Sequence, residues 1–225
     1  MNQQAPLQLT RRELEALQAA DAIPLDRDKS ADLRVIEIDG QRAVLKDFAH
    51  RSWLWRIIGP WVVGRETRAL RALEGKAPVP KLLGRIDRYA YLMEFVEGEP
   101  CNHLDADTIT PRFFERVSEA IASLHRAGWV HCDLKSFGNL IRGPEDRICI
   151  TDFATAFPRE GFAGPLRRWL FERMAKVDRL ALAKLKKSLI PELLTEEEAH
   201  GLAHPSVPVR IARGWRKLYR WLRRR

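Results

Sequence analysis

The sequence has few cysteines and no spacing that would join them. Its three cysteines, Cys101, Cys132 and Cys149, are odd in number and form no Cys-x-x-Cys pair. That pattern argues against a disulfide framework and against a structural zinc site. A reducing cytoplasm is the compartment that fits this cysteine usage best.

Long apolar runs are also missing. The N-terminal stretch MNQQAPLQLTRRELEAL has no apolar segment of signal-peptide length, and no uncharged apolar run elsewhere could span a bilayer. We therefore expect a protein that does not cross the membrane. With 225 residues, 45% hydrophobic and 31% charged, the chain has an ordinary globular composition and can bury a sizeable core.

Acidic residues are absent from the C-terminal end, where positive charge accumulates. The net charge is +9, and residues 210–225 include seven arginines and one lysine. Apolar residues recur there at helical spacing: Ile211, Trp215, Leu218 and Leu222. We predict a basic amphipathic helix over residues 206–225, which either docks on an anionic membrane surface or packs its apolar stripe on the protein. Nucleic acid ranks below the anionic membrane as a partner of this helix. Membrane docking would place this cytoplasmic protein peripherally at the inner membrane.

A second stretch, RSWLWRIIGPWVVG, begins at Arg51 and combines aromatic with basic residues. Its Trp53, Trp55 and Trp61 suit the head-group layer of a membrane. The same tryptophans also suit packing beneath a helix of the N-terminal half, which is the interpretation that we favour slightly.

Strands dominate the prediction for the first half of the chain. Thr10 and Glu13 have the spacing of a capping box, which predicts a short helix to about residue 20 within an N-terminal appendage, residues 1–22. The segments LRVIEID and QRAVLKDF, joined by Asp39-Gly40, predict a hairpin, and YAYLMEFVE predicts a buried strand. A helix is expected from Arg65 to near Gly75. We assign residues 23–97 to a small β-rich lobe.

Helices dominate the prediction for the second half. Apolar residues at helical spacing predict a helix from Pro111 to near Gly128 and another over residues 166–189. After Pro191, a Thr-x-x-Glu sequence begins a further helix. We assign residues 98–205 to a mainly helical lobe.

Two short segments of this half contain the residue types that phosphoryl transfer requires. They are VHCDLKSFGNLI, with Asp133 and Asn139, and ICITDFA, with Asp152. Phosphoryl transfer needs a carboxylate that orients the attacking hydroxyl, and oxygen ligands that bind Mg²⁺ against the phosphates. Each residue alone has an ordinary structural explanation, as a turn or cap residue, so the prediction depends on their occurring together.

This arrangement resembles the catalytic loop and the metal-binding loop of protein kinases, H-R-D-L-x-x-x-N followed by D-F-G. The resemblance implies that Asp133 is the catalytic residue and that Asn139 and Asp152 bind the metal. Upstream, Lys46 in VLKDF matches the strand lysine that contacts the ATP phosphates, and Glu66 matches the helix glutamate that pairs with that lysine.

The resemblance extends to the segment between the two lobes and to one further lysine. LMEFVEG, which includes Glu94 and Val96, matches the hinge whose backbone would bind adenine. Lys135, two residues after the catalytic position, matches a lysine that contacts the transferred phosphate in small kinase-like relatives. A solvent-exposed loop lysine is an alternative explanation for Lys135.

The sequence departs from the protein-kinase pattern in three places. No G-x-G-x-x-G precedes Lys46, where only the turn at residues 28–30 could cover the phosphates. Asn139 follows Asp133 by one residue more than the pattern has, and Asp152-Phe-Ala replaces D-F-G without a later A-P-E. Such short chains resemble the RIO-type and lipopolysaccharide-kinase branches of the superfamily.

The resemblance implies a two-lobed α+β fold of the protein-kinase type with a reduced activation segment. The implied activity is transfer of the γ-phosphate of ATP, with Mg²⁺, to a hydroxyl on a glycolipid sugar or on a protein serine or threonine. The alternatives are a nucleotide-binding pseudokinase and a membrane-associated scaffold, for which the missing glycine-rich loop and the displaced asparagine argue.

Overall fold

The computed structural model describes residues 9–14, 16, 31–38, 40–105, 108–135, 137–161 and 164–203, and the backbone alone of residues 23–26. The basic helix predicted over residues 206–225 and the turn predicted at residues 28–30 lie outside these ranges. The chain divides into two compact units. The first comprises the chain up to Ala72 together with Pro80–Phe95, and the second comprises Leu73–Val79 together with the chain from Val96 onwards.

An antiparallel sheet of five strands forms the centre of the first unit, in the order β1-β2-β3-β5-β4. The strands are β1 (Ile23–Asp26), β2 (Asp32–Ile38), β3 (Gln41–Asp47), β4 (Leu82–Arg85) and β5 (Ala90–Glu94). The hairpin of β2 and β3 is the predicted one. Gly40 lies in its turn at a φ of 73°, a conformation that glycine adopts without steric strain.

Successive side chains of β3 lie alternately on the two faces of the sheet. Ala43 and Leu45 pack in a buried cluster with Leu14 from the N-terminal segment. That segment begins with the predicted capping box, in which Thr10 N donates to Glu13 Oε2 at 2.7 Å and Glu13 N donates to Thr10 Oγ1 at 3.4 Å. Because it follows Leu45, Lys46 faces the opposite side of the sheet.

An arginine joins the N-terminal segment to the end of β3 and to the connection between β4 and β5. Arg11 Nη1 lies 2.8 Å from Asp47 Oδ2, and Arg11 Nε lies 2.6 Å from Asp87 Oδ2. Asp87 also accepts hydrogen bonds from the backbone N–H groups of Tyr89 and Ala90. The segment is therefore attached by ion pairs as well as by the burial of Leu14.

The helix of the first unit, α1 (Trp53–Leu73), begins twelve residues earlier than predicted. Gly59 and Pro60 are residue types that disfavour the interior of a helix, because glycine is conformationally free and proline has no N–H to donate. The helix nevertheless continues through Pro60. Gly59 is needed there, since an added Cβ would lie 2.8 Å from Phe48 Cβ. The aromatic stretch is thus part of the helix that contains Glu66.

The second unit is mainly helical. Its helices are α2 (Pro111–Arg126), α3 (Gly164–Leu189) and α4 (Glu196–Ala203). One small sheet comprises β6 (Glu99–Pro100), β8 (Leu140–Arg142) and β9 (Ile148–Ile150), and a second pairs β7 (Trp129–Val130) with β10 (Phe157–Pro158). The predicted starts of α2 and α4 are confirmed by the caps at Thr110 and Thr195.

A β-rich first unit and a mainly helical second unit confirm the predicted α+β class. Only a short segment separates Asp152 from the first residue of α3, Gly164. Within the described ranges we find no helix that combines the length and the apolar character needed to cross a bilayer.

Candidate active site

Lys46 and Glu66 form a buried ion pair in the first unit. Lys46 Nζ lies 2.8 Å from Glu66 Oε1 and 3.0 Å from Glu66 Oε2, and the side chains are 5% and 1% exposed. The register of β3 and β5 places Tyr91 opposite Lys46, and the Tyr91 hydroxyl donates a hydrogen bond to Glu66 Oε2. The nearest other glutamate in the sequence, Glu74, is exposed beyond the end of α1. The structure thus brings the predicted lysine and glutamate together.

Burial makes this pair an unusual feature. Removing two charges from water costs several kcal/mol per ion, and their attraction recovers that cost only when the geometry is good. Replacement of a buried ion pair by well-packed apolar side chains is often neutral or stabilising. The presence of Lys46 and Glu66 is therefore better explained by function than by stability.

In the second unit, Asp178 of α3 fixes the backbone of the loop that contains Asp133. Asp178 is fully buried, and its two carboxylate oxygens accept the backbone N–H groups of His131 at 2.8 Å and Cys132 at 2.9 Å. His125 Nε2 lies 3.1 Å from the same carboxylate. Cys132 adopts a φ of 69°, which few residues other than glycine adopt, and the bond to Asp178 stabilises that conformation.

His131 connects the two acidic loops through its ring. Its Nδ1 accepts the backbone N–H of Asp133 at 3.3 Å, and its Nε2 donates to the carbonyl of Thr151 at 2.8 Å. An imidazole that accepts at one nitrogen and donates at the other is in a neutral tautomer. His131 therefore orders the loops beside Asp133 and Asp152.

The β8–β9 hairpin brings Asn139 close to Asp152 in space. Leu140 pairs with Ile150, so Asn139 and the residue before Asp152, Thr151, face each other where the hairpin opens. Thr151 N donates to the Asn139 carbonyl at 2.9 Å. The extra residue between Asp133 and Asn139 does not separate them, since Asn139 Nδ2 donates to the Asp133 carbonyl at 2.9 Å.

These residues present oxygen ligands of the kind that Mg²⁺ prefers. The bond from Asn139 Nδ2 directs the other atom of that amide, Oδ1, away from the Asp133 carbonyl. Asp152 is in the left-handed region, at φ 61° and ψ 73°, directly before the turn Phe153–Thr155. The carboxylate of Asp152 and the amide oxygen of Asn139, from neighbouring backbone positions, are suitable ligands for a magnesium ion that also binds phosphate.

The remaining predicted residues have less distinctive surroundings. Lys135 is exposed in the loop after Asp133. Glu94 ends β5 and is exposed, and its carboxylate accepts the backbone N–H of Lys81 at 3.1 Å. Val96 lies in the segment after β5 and is half-buried. Their roles stay predictions.

Asp178 was missed by the sequence interpretation. It lies on the buried stripe of α3 together with Phe171, Ala175 and Leu182. An acid on an otherwise apolar stripe is the signal that could have identified it, because a buried carboxylate needs hydrogen-bond donors. Which donors it would find could not be predicted, since they lie more than forty residues earlier in the chain.

A β-rich unit with a buried lysine–glutamate pair and a helical unit with two acidic loops define a protein-kinase-like protein. The family model described as RIO domain matches residues 30–173, which is more than half of the chain. The chain therefore belongs to the RIO-domain family, a branch of the protein-kinase-like proteins.

Curated relatives resemble part of this chain. One from Methanosarcina mazei, named "Probable bifunctional tRNA threonylcarbamoyladenosine biosynthesis protein", is 28% identical over 124 residues, or 53% of this chain and 21% of the relative. One of the same name from Methanosarcina acetivorans is 35% identical over 80 residues, or 36% of this chain and 13% of the relative. The alignments thus span about a fifth or less of the length of these relatives.

A solved structure resembles most of this chain. It is described as the Rio2 kinase–ADP/Mg²⁺–phosphoaspartate complex from Chaetomium thermophilum. The TM-score is 0.55 at 16% sequence identity, over 86% of this chain and 59% of that one. This likeness shows the fold, which agrees with the RIO-domain match.

Proposed function

We propose that this chain is an ATP-dependent phosphotransferase that uses Mg²⁺ and transfers the γ-phosphate to a hydroxyl group. The observation that supports this most is the buried pair of Lys46 and Glu66, because such a pair contributes little to stability and is a required part of kinase sites. The ADP and Mg²⁺ named for the Rio2 structure support the choice of cofactors.

Each predicted residue has a distinct role in this proposal. Lys46 binds the nucleotide phosphates, and Glu66 together with Tyr91 fixes the position of its ammonium group. Asn139 and Asp152 bind the metal through oxygen atoms. Bound Mg²⁺ supplies neutralisation of charge on the phosphate oxygens.

Asp133 orients the acceptor hydroxyl and accepts its proton. The backbone on both sides of Asp133 is fixed by Asp178, His131 and Asn139, so its carboxylate is presented from a rigid loop. Lys135, two residues later, stabilises the negative charge on the transferred phosphate. Glu94 and Val96 contribute backbone groups to adenine binding.

Two classes of acceptor remain in this proposal. The names of the curated relatives direct the search towards macromolecules of tRNA modification, including serine or threonine side chains of proteins in that process. The basic and aromatic sequences direct it towards the sugar hydroxyls of a glycolipid such as lipopolysaccharide. Both are hydroxyl acceptors, so the proposed chemistry of Asp133 is the same.

A nucleotide-binding pseudokinase or membrane-associated scaffold is the second candidate. The observation that favours it is Ala154, which is 8% exposed where D-F-G has glycine and which restricts the backbone after Asp152. Such a protein would bind nucleotide through Lys46 without turnover.

The test measures Mg²⁺-dependent ATP consumption by the purified chain, alone and with a lipid and lipopolysaccharide extract or a protein fraction. We expect Asp133→Ala to lower turnover by about 100-fold or more, as loss of a general base does. Asp105→Asn, an exposed acid in the same unit, is the matched control and should leave turnover unchanged.

Nucleotide binding separates the assigned roles. Asp133→Asn should bind Mg·ADP with an affinity close to that of wild type. Asp152→Asn should bind ADP more weakly than wild type when Mg²⁺ is present, but not when it is absent. Equal affinities of the two variants in the presence of Mg²⁺ would contradict the assignment. Nucleotide binding without any turnover in wild type would establish the pseudokinase instead.

A further inference from the structure

The two sides of α1 differ sharply in chemistry. Its inner side contains Trp55, Val62 and Glu66, which are almost fully buried. Its outer side exposes three large apolar side chains, since Trp53 is 73%, Ile57 66% and Trp61 60% exposed. A spacing of four residues places these three on one line along the helix, about 12 Å long.

Towards the C-terminal end of α1, basic residues follow the three apolar ones on the same side of the helix. One turn beyond Trp61, Arg65 stacks on the Trp61 ring at 4.7 Å from its centroid, and Arg68 and Arg71 follow as exposed residues. The one acid between Arg51 and Leu73 is Glu66, which is buried against Lys46 on the inner side. The outer face of α1, defined by Trp53, Ile57, Trp61, Arg68 and Arg71, is thus apolar at one end and basic at the other.

We propose that the outer face of α1 docks on the surface of an anionic lipid bilayer. Tryptophan and arginine are the residues that lie at the head-group level of membranes, where the ring is partly buried and the guanidinium meets phosphate. Ile57, between the two tryptophans, would reach the boundary of the acyl chains. The face has both parts that interfacial binding requires, a buried apolar area and a basic area.

Charge and composition disfavour other occupants. The C-terminal residues 210–225 and a second copy of α1 are themselves basic, so either would place arginines against arginines. A single-stranded RNA could stack bases on tryptophan, but its phosphates would need arginines between the rings. Here Ile57 and, beside it, Pro60 separate Trp53 from Trp61, and neither binds phosphate; the exposed Arg56 lies to one side of the line rather than between the rings.

Docking through this face would not require any change at the nucleotide-binding side of α1. Glu66 lies on the opposite side of the helix, about half a turn away from the line of Ile57. The proposal is therefore independent of phosphotransfer. A catalytically inactive chain would bind the bilayer as wild type does.

The experiment is co-sedimentation of the full chain with vesicles of phosphatidylcholine alone or with a third of phosphatidylglycerol. We expect wild type to bind the anionic vesicles and Trp53→Ser/Trp61→Ser to bind about tenfold more weakly or worse, since two large apolar groups are lost. Arg68→Glu/Arg71→Glu should lose the preference for phosphatidylglycerol.

Matched controls come from the second unit. Trp169→Ser removes a tryptophan that is 49% exposed on α3, and Arg112→Glu/Arg116→Glu reverses two exposed charges on α2. Both should bind within about twofold of wild type. Equal losses in these controls, or no loss in the α1 variants, would overturn the assignment of the face.

A conservative variant guards against loss of folding. Trp53→Phe/Trp61→Phe retains apolar area, so it should keep vesicle binding while losing the quenching of tryptophan fluorescence by brominated phospholipid that wild type shows. Unchanged quenching in this variant would contradict docking through α1. Absence of vesicle binding by wild type would contradict the proposal. If the binding of polyuridine depends on Trp53 and Trp61 and the binding of vesicles does not, the partner of this face is not a bilayer.

Discussion

The most deeply buried charged groups of the two units have different partners. In the first unit, the buried side chains of Lys46 and Glu66 bind each other. In the second unit, one buried carboxylate, Asp178, binds backbone N–H groups of the loop before Asp133. A pair of side chains can be replaced together by apolar residues, whereas backbone N–H groups stay when their acceptor is removed.

The two buried groups therefore differ in their proposed roles. Lys46 belongs to a pair whose charged groups are themselves proposed to form the phosphate-binding site. Asp178 has no proposed chemical role of its own and acts through the loop before Asp133 that it fixes. We therefore expect the largest loss of stability at Asp178 and the clearest separation of stability from function at Lys46.

Removing the carboxylate of Asp178 should have the largest effect. Asp178→Ala leaves the N–H groups of His131 and Cys132 without their acceptor, and we expect the free energy of unfolding to fall by roughly 3 to 5 kcal/mol. Denaturation in urea measures this loss, and hydrogen exchange of the same two amides reports the local opening of the loop.

The matched controls test whether the backbone bonds are the cause. Asp178→Asn keeps one acceptor oxygen and should lose less than Asp178→Ala. Glu119→Ala removes an acid that is 67% exposed, so it should change stability by less than about 0.5 kcal/mol. If the His131 and Cys132 amides stay as protected in Asp178→Ala as in wild type, Asp178 does not fix the loop.

Local signals made the helices α2 to α4 and the β2–β3 hairpin predictable, because caps, turns and periodic apolar residues lie within a few residues of one another. The partnership of Lys46 with Glu66 was predictable from the resemblance to protein kinases. The first half of α1 was not, since Gly59 and Pro60 are local breakers that tertiary packing against Phe48 overrides. Asp178 depends on contacts between distant parts of the chain, which no local pattern specifies.

The pair in the first unit should behave differently from Asp178. Lys46→Met leaves the carboxylate of Glu66 buried without its cation, and we expect a loss of about 3 kcal/mol. Lys46→Met/Glu66→Leu removes both charges and should recover most of that stability, to within about 1 kcal/mol of wild type. Neither variant should bind Mg·ADP as wild type does.

Urea denaturation and calorimetric nucleotide binding on wild type, Lys46→Met, Glu66→Leu and the double variant complete this double-mutant cycle. The exposed pair of Arg126 and Glu119 is the reference cycle, with an expected coupling below about 0.5 kcal/mol. A double variant as unstable as Lys46→Met would mean that the charges themselves stabilise the unit. A double variant that binds Mg·ADP normally would remove Lys46 from the proposed site.

The smallest expected effect concerns Arg11 and depends on pH. Burial alone would raise the pKa of Asp87, but hydrogen bonds from Arg11 and from the Tyr89 N–H, with the charge of Arg11, lower it below its ordinary value. Because its pKa is lowered, the ionised Asp87 stabilises the folded unit at pH values above the ordinary carboxyl pKa of about 3.9. This stabilisation disappears as the pH falls through the lowered pKa of Asp87.

Arg11→Ala should therefore cost about 1 kcal/mol at neutral pH, a modest amount because solvent screens this half-exposed ion pair. The difference from wild type should shrink as the pH falls below about 4 and disappear as the pH falls through the lowered pKa of Asp87. Arg12→Ala, the exposed neighbour, should show no such convergence. A difference that stays constant with pH would mean that Arg11 attaches the N-terminal segment through packing of its aliphatic chain, and the contrast between the units would then be limited to the Lys46–Glu66 pair.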